Sequence, residues 1–536
     1  MGCKVRLLRL GWLIALLAAA GVMTPAQAER RISPYIEAQQ VLDADFNNGG
    51  DVVTYTSLAA GVDAEVRNRR VEVGLSYRYE HRLSYDDDFG DEDIHSGLAR
   101  ARIAITPALS LEGGAIATRA RSDIRGAAPV FLTGDSSNIT QVYGFYGGPT
   151  LSTSAGPLQI GASYKLGYVK VEDDTNIVLA PGQQRLDNFN SATSHQFDAS
   201  IGMRSGPLPF GWTVSGGYMR ENASQLDQRF TGAYVRGDIT LPVSPTVALT
   251  AGAGYEDIKA TERAPLFNPD GTPVISANGR FVTDPNSPRL LTYQTDGLIY
   301  DAGVIWRPNR RTTLQVRAGK RYGATAVTGS LDYQITSHSG LRVGVYHGIE
   351  SFGRSLTRSL ADLPTSFNVS RNPLTGEFNR CVFGPNPGTG GCLDDTLQSI
   401  STSNFRARGV NILYSAERGP WSLGLGAGYA QRRYLAPTGI FFTVDNVTDE
   451  SWMFQASLAR RLTANSGIDF GAYADWYESG LPGGLDVKSA GATAAYYRSF
   501  TERLRGQVAI GIQGFDQDGF DTVVSGQLLL GMRYQF

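Results

Sequence analysis

The chain ends "GQLLLGMRYQF", Gly526 to Phe536, and this stretch decides how the rest is read. Leu528, Leu530, Met532, Tyr534 and Phe536 fall on one parity, and Gln527, Leu529, Gly531, Arg533 and Gln535 on the other. Alternation with period two marks a strand with one face in an apolar medium. At the end of a soluble chain, such a strand would leave an open hydrophobic edge that invites aggregation. A closed barrel in a bilayer removes the edge, with the apolar parity toward lipid and the polar parity toward a lumen.

The N-terminus points to the same compartment. Lys4, Arg6 and Arg9 form a basic region, "GWLIALLAAAGV" (Gly11 to Val22) is an apolar core too short to span a membrane comfortably, and "AQA" (Ala26 to Ala28) is a small-residue cleavage site. Residues 1–28 therefore read as a cleaved signal peptide, and 29–536 as one barrel. Cys3 precedes the apolar core instead of following it, which argues against a lipoprotein. Of 49 Lys and Arg, three leave with the signal, against 51 Asp and Glu, so the mature chain is five charges negative. That balance gives no ground for nucleic-acid binding. Past the signal, no apolar run approaches the roughly 18 residues of a transmembrane helix. Composition alone, with 63 Gly and 25 Tyr, also suits a soluble secreted β-protein, so the rhythm of the chain has to decide.

Alternating stretches recur from end to end. "RVEVGLSYRYEHR" sets Val71, Val73, Leu75, Tyr77 and Tyr79 against Arg70, Glu72, Gly74, Ser76, Arg78 and Glu80; "LQIGASYKLGY", "WSLGLGAGYA" and "RLRGQVAIGIQG" divide in the same way. Segmentation on these stretches and on turn chemistry predicts about 22 strands, each of roughly 10 to 16 residues. Their connections alternate short and long. "RNRR", "TSAGP", "RPNRR" and "FTER" are among the short ones; "SYDDDFGDEDIH", the segments near 124–138, 172–190 and 260–290, and the loop from about 356 to 400 are among the long ones. This is the pattern of an outer-membrane barrel with periplasmic turns and external loops, an all-β, antiparallel, up-and-down fold with both termini at the periplasmic rim. "NNGGD" and "ATAVTG" are short where the pattern wants long. Trp212, Trp306, Trp421, Trp452 and Trp476 lie near strand ends, where interfacial aromatic girdles belong. Phase slips around "NFRARGVNILY", where Arg406 and Arg408 share a parity with Val410 and Ile412, and at Lys320; a bulge or a strand leaving the bilayer accounts for either.

Signal peptide, strand series and the terminal Met532, Tyr534 and Phe536 together resemble a Gram-negative outer-membrane β-barrel, most similar to the β-barrel porin families of alphaproteobacteria, some encoded near exopolysaccharide export genes. The resemblance implies that the C-terminal aromatic signal is read by the barrel assembly machinery, and that outer-membrane lipid, lipopolysaccharide and a periplasmic polysaccharide-export protein are the partners to expect. A TonB-dependent transporter also has 22 strands, but its fold begins with a plug of well over a hundred residues. Here strand character starts at about Arg31, so no plug domain is expected.

On the polar parity, Arg70, Arg78, Arg100, Arg102, Lys165, Arg317, Arg503, Arg505 and Arg533 are predicted to face the lumen, with Glu72, Glu80, Asp469 and Asp475. Each charge would cost about 2 to 4 kcal/mol facing lipid near the midplane. Such a lumen would either favour anions or simply brace its own wall through pairing. Twenty-two tilted strands close a ring roughly 40 Å across, too wide for side chains to fill. The pore is therefore open unless a loop enters it, and the loop from about 356 to 400 either enters or projects outward. That loop carries "CVFGPNPGTGGC"; Cys381 and Cys392 are the only cysteines after cleavage, and export into an oxidising compartment predicts their disulfide.

"YDDDFGDED" (Tyr85 to Asp93) has carboxylates enough for calcium but no recognised loop spacing. His81, His95, His195, His338 and His347 are scattered without a nucleophile motif, so no enzyme, no metal and no cofactor is expected. The sequence thus predicts a passive, porin-like pore for polar or anionic solutes. The alternatives are an export channel for an acidic exopolysaccharide and a surface receptor or adhesion barrel.

Overall fold

The computed structural model describes residues 29–47, 52–85, 91–122, 138–172, 187–367, 370–378, 381–397, 400, 402–437, 445–481, 486–519 and 521–536. The signal-peptide reading of 1–28 lies outside them. In chain order the strands are β1 (Glu29–Asp45), β2 (Val52–Arg67), β3 (Val71–Ser84), β4 (Glu92–Ala104), β5 (Leu109–Arg121), β6 (Ile139–Ala155), β7 (Leu158–Val171), β8 (Ser191–Met203), β9 (Gly211–Ala223), β10 (Gln228–Pro242), β11 (Val247–Glu262), β12 (Leu290–Asn309), β13 (Thr312–Arg321), β14 (Ala324–Thr336) and β15 (Ser339–Glu350). After helix α1 (Phe352–Asp362), a small hairpin of β16 (Cys381–Phe383) and β17 (Gly390–Cys392), and the single turn α2 (Asp394–Leu397), the series resumes. It continues with β18 (Asn404–Arg418), β19 (Trp421–Leu435), β20 (Thr448–Thr463), β21 (Ser466–Glu478), β22 (Val487–Ser499), β23 (Leu504–Gln517) and β24 (Val523–Gln535).

All but β16 and β17 form one sheet of 22 strands, each antiparallel to its neighbours. The terminal stretch closes it: β24 pairs with β1 from Tyr35↔Gln535 to Asp45↔Ser525, and the Phe536 amide donates to the Pro34 carbonyl at 3.0 Å. No open edge remains, which is how a bilayer-spanning sheet satisfies its backbone. In β24 Leu528, Leu530 and Met532 are exposed, whereas Gln527 and Leu529 are buried. The outward parity of the other strands carries the same kind of side chain, including Ile36, Phe145, Phe197, Val235, Leu298, Ile412, Phe454 and Ile510, all exposed. Such a belt of large apolar side chains has no place in water but is what a lipid-facing wall requires.

One rim is made of short turns, and it holds Trp212, Trp306 and Trp421 at strand ends; the opposite rim, with the long loops, holds Trp452 paired across strands with Trp476. The short-turn rim is accordingly periplasmic. "ATAVTG" is a correction: it opens strand β14, and the short external turn is Tyr322–Gly323 before it; besides "NNGGD" and this turn, the connection from Ala223 to Gln228 is also short on the external side. No bulge interrupts β18: its register runs without a shift, and Arg406 and Arg408 lie outward near its external end. The strand leaves the bilayer there, as a tilted span needs only about 9 to 11 residues. Lys320 is likewise at an external strand end. Register shifts occur at Ala260/Thr261, Trp306/Asn309, Gln334/Thr336 and Arg461/Thr463.

Candidate functional site

The lumen is partly filled. The chain between β15 and β18 turns inward and packs against the wall, forming most of the protein's apolar core. Helix α1 starts at Ser351, whose hydroxyl accepts from the Arg354 amide at 3.1 Å as an N-cap. The same hydroxyl lies 2.8 Å from both oxygens of Glu221 on β9, the Arg354 guanidinium pairs with Glu221, and Arg354 also donates to Asn404 at 2.9 Å. Phe352, Leu356 and Leu360 repeat every fourth residue, so they form one stripe. That stripe is buried with Leu98, Ile116, Val142, Tyr146 and Val169 of β4 to β7.

From α1 the segment crosses toward the periplasmic half. Arg100 donates to the Ala361 carbonyl at 3.0 Å and stacks on Tyr146; Thr365 donates to Glu72 at 2.9 Å and Ser366 to Glu65 at 2.7 Å. Arg371 reaches the hydroxyls of Ser96 and Ser76 at 3.0 and 2.9 Å, and burial pushes its guanidinium below the ordinary value. Leu374 is buried with Val41, Tyr55, Ala509 and Leu529, so Leu529, an apolar residue on the polar parity of β24, is a docking point for this segment. Glu377 accepts from Arg119 at 2.8 Å.

The segment then returns along β18 to β20. Cys381 and Cys392 are joined by a disulfide, across the register of β16 and β17. The hairpin sits in a groove in β19 made by two glycines: a Cβ on Gly426 would lie 2.5 Å from the Cys381 sulfur, and one on Gly424 2.5 Å from the Phe383 ring. Gly388 donates to Ser415 at 2.8 Å, and Cys381 to Gln455 at 3.2 Å. A wall built with these gaps accepts this loop in this place.

Above it lies a stitched external layer. The Phe189 amide donates to the Ile400 carbonyl at 2.9 Å, and Arg280 of the β11–β12 loop donates to the carbonyls of Val171 and Glu172 at 3.2 and 2.8 Å. Asp187 accepts from the Phe281 amide at 2.9 Å and from Gln225 at 2.8 Å; burial pushes its carboxyl up to about 7 against those donors and Arg280.

The predicted lumen charges are placed as follows. Arg78 is buried and paired with Glu37 at 3.0 Å and with Glu80; Glu80 also accepts from Arg82 at 2.9 Å. Arg317 joins Arg236, Asp238 and Asp301 in a network with contacts of 2.6 to 3.0 Å on β10, β12 and β13, a stretch of wall that α1 and the hairpin leave uncovered. Arg102 lies 3.7 Å from Glu112 at the rim. Arg533 pairs with Asp63 at 3.0 Å and Glu37 at 3.5 Å. Lys165 and Asp475 are half-buried on β7 and β21. Arg505 and Asp469 border a cavity described below. Arg70 and Arg503 are corrections: both lie in exposed periplasmic turns, because the strands end before them. Met532 and Phe536 are exposed on the lipid side, and the Tyr534 ring stands edge-on to Phe536 at 5.2 Å. Residues 86–90 of the acidic stretch lie outside the described residues; Asp93 accepts from Tyr79 at 2.6 Å and faces His81 at 2.9 Å. Among the described residues, no group of three or more His, Cys, Asp or Glu could hold a metal.

Below the segment, a cavity of about 720 Å³ opens between its underside and the periplasmic rim. Phe367, Arg371, Pro373 and Phe383 roof it, and Arg503, Arg505, Arg533 and Gln535 are part of its wall.

No protein-family model and no curated protein matches the chain. Solved structures do match. They include the FrpB iron transporter from Neisseria meningitidis (F5-1 variant), at 10% identity over 94% of this chain and 82% of that one, with a TM-score of 0.45. The ferric-catecholate import receptor Fiu from E. coli K12 in its open form gives 11%, 94%, 81% and 0.44 in the same order, and the siderophore receptor PirA from Acinetobacter baumannii gives 9%, 94%, 80% and 0.42. With TM-scores below 0.5 these likenesses carry no argument about this chain. Its own architecture does: a closed barrel of 22 strands with an apolar outer belt, and among the described residues no helix long and apolar enough to cross a membrane. The protein is a bacterial outer-membrane β-barrel. Nothing found supports the narrower resemblance to the exopolysaccharide-associated porin family.

Proposed function

We propose that this barrel is a transport protein of the receptor kind, closed at rest by its own inward segment and opened by a ligand or partner. The observation that carries this reading is the docking of residues 351–403. Porin constrictions need only narrow a pore, whereas this segment buries an apolar helix face, two wall-to-loop ion pairs and a disulfide hairpin seated on glycines. Interactions of that kind hold one position and exclude water. The external layer of 187–190, 224–228 and 263–289, which presents exposed Leu266, Phe267 and Ile275, is the surface where a ligand would arrive.

A second reading, export from the periplasm with a periplasmic partner, is favoured by one observation: the cavity of about 720 Å³ opens toward the periplasm and not outward. Both readings require the segment to move. In either, lipid and lipopolysaccharide contact the belt, and the barrel assembly machinery reads the C-terminal strand; no catalytic role is proposed. Liposome swelling tests the closed state. Vesicles carrying the intact protein should exclude neutral trisaccharides that enter vesicles carrying a variant lacking residues 360–396. Entry at equal rates in both would remove the closed-channel reading.

A further inference from the structure

The periplasmic cavity holds an arrangement that the closed-channel reading does not use. Arg505 on β23 stands directly across the strand pair from Arg533 on β24, both on the lumen face. Like charges in directly opposed positions repel and destabilise a sheet. On one side the repulsion is answered: Arg533 lies over the Tyr35 ring at 3.5 Å and has the carboxylates of Asp63 and Glu37. Glu37 is shared with Arg78, Asp63 also accepts from Ser76 at 2.7 Å, and Glu65 is engaged by Ser366.

Arg505 is served differently. Its guanidinium stacks on Tyr497 at 3.5 Å, and its Nε is shielded from water with no hydrogen-bond acceptor. Asp469 faces it without forming an ion pair. A desolvated guanidinium donor without an acceptor is costly, and an anionic oxygen is what its planar fork fits. Arg503, exposed in the turn before β23, adds a third cation at the mouth beside the exposed carboxylates of Glu502 and Glu417; Gln507, Thr501 and Gln535 add neutral hydrogen-bonding groups. The volume falls within the ~300 to 1,000 Å³ range of small-ligand sites.

We propose that this cavity binds a small organic anion from the periplasm, a carboxylate or phosphate on a hydroxyl-bearing body, through Arg505 with Arg503 and Arg533. The anion meets the cavity-facing end of the Arg505 guanidinium and neutralises the opposed pair, while the hydroxyl-bearing body meets the glutamines and Thr501. The site goes beyond the closed-channel reading and needs only the folded barrel with its roof in place, so it stands or falls apart from conduction.

The test is calorimetric titration of the intact refolded protein in detergent with glucuronate, inorganic phosphate and, as a neutral control, glucose. One anion or both should bind one to one, and glucose should not; whichever anion binds identifies the carboxylate or the phosphate source. Arg505→Gln should weaken binding at least tenfold, and Lys165→Gln, on the opposite wall, should leave it unchanged. If Arg505→Gln does not fold, Arg503→Gln in the exposed turn takes its place, with a loss of several-fold expected. Failure of both anions to bind, equal binding of glucose, equal weakening by Lys165→Gln, or native affinity in the arginine variants would each overturn the site.

Discussion

Arg119 in the barrel wall donates to Glu377 in the inward segment at 2.8 Å, across 258 residues of sequence, with both side chains at least nine-tenths buried. The two ends of the pair are not equivalent. Arg119 is also held by Glu92 at 2.5 Å, whereas Glu377 has no second cation among the pairs described. Arg119→Met should therefore strand a buried carboxylate and loosen the segment by about 3 kcal/mol. Glu377→Gln keeps a hydrogen-bonding group and leaves Arg119 a partner, so about 1 kcal/mol is expected. Limited proteolysis of the segment should rank Arg119→Met above Glu377→Gln, and Glu377→Gln above the native protein.

The glycine groove makes a second prediction. Gly426→Val places carbon where the Cys381 sulfur lies, so the hairpin must lift. Gly237→Val, on β10 with nothing within 4 Å of its Cβ position, is the matched control. The disulfide should become faster to reduce in the first variant and stay unchanged in the second. Equal reduction rates would mean that the hairpin does not sit in the groove.

Wall orientation is testable with single cysteines. A cysteine at 505 should react with a water-soluble thiol reagent, and one at 508, exposed to lipid, should not. Position 78 faces the lumen but is buried beneath the segment, so it should react only after residues 360–396 are deleted. Reaction at 78 in the intact protein would show that the roof is absent.

The external layer should respond to pH through Asp187. Its folded carboxyl is raised to about 7, above its ordinary value near 3.8, so the folded layer binds the proton more tightly than the unfolded one. Stability from this group is complete below about pH 4 and is lost as pH rises through 7. Amides of 224–228 and 280–282 should exchange faster at pH 8 than at pH 5.5, after correction for intrinsic rates. Asp187→Asn should flatten the difference; an unchanged pH dependence in that variant would assign it to other groups.

The barrel was legible in the sequence because its physics is local. Alternation along "GQLLLGMRYQF" and the short-long rhythm of connections each depend on a few neighbouring residues, and they lead to the 22-strand closed sheet. The inward course of the 356–400 loop is a long-range fact and stayed open. A signal was present: Leu98, Ile116, Val142, Val169 and Leu529 are apolar side chains on the lumen parity, and an aqueous pore has no use for them. They cover the segment. The placement of Arg70 and Arg503 failed for a smaller reason, since parity says nothing about where a strand stops at the rim. Pairing of Arg78, Arg317 and Arg533 with carboxylates two or more strands away also needed the register.

The central claim is that residues 351–403 close the lumen. Single-channel recording in planar bilayers tests it most directly, comparing the intact refolded protein with the variant lacking 360–396. The intact protein should be silent or nearly so, and the deletion should give a large, stable conductance. A large steady current in the intact protein, unchanged by the deletion, would contradict the account.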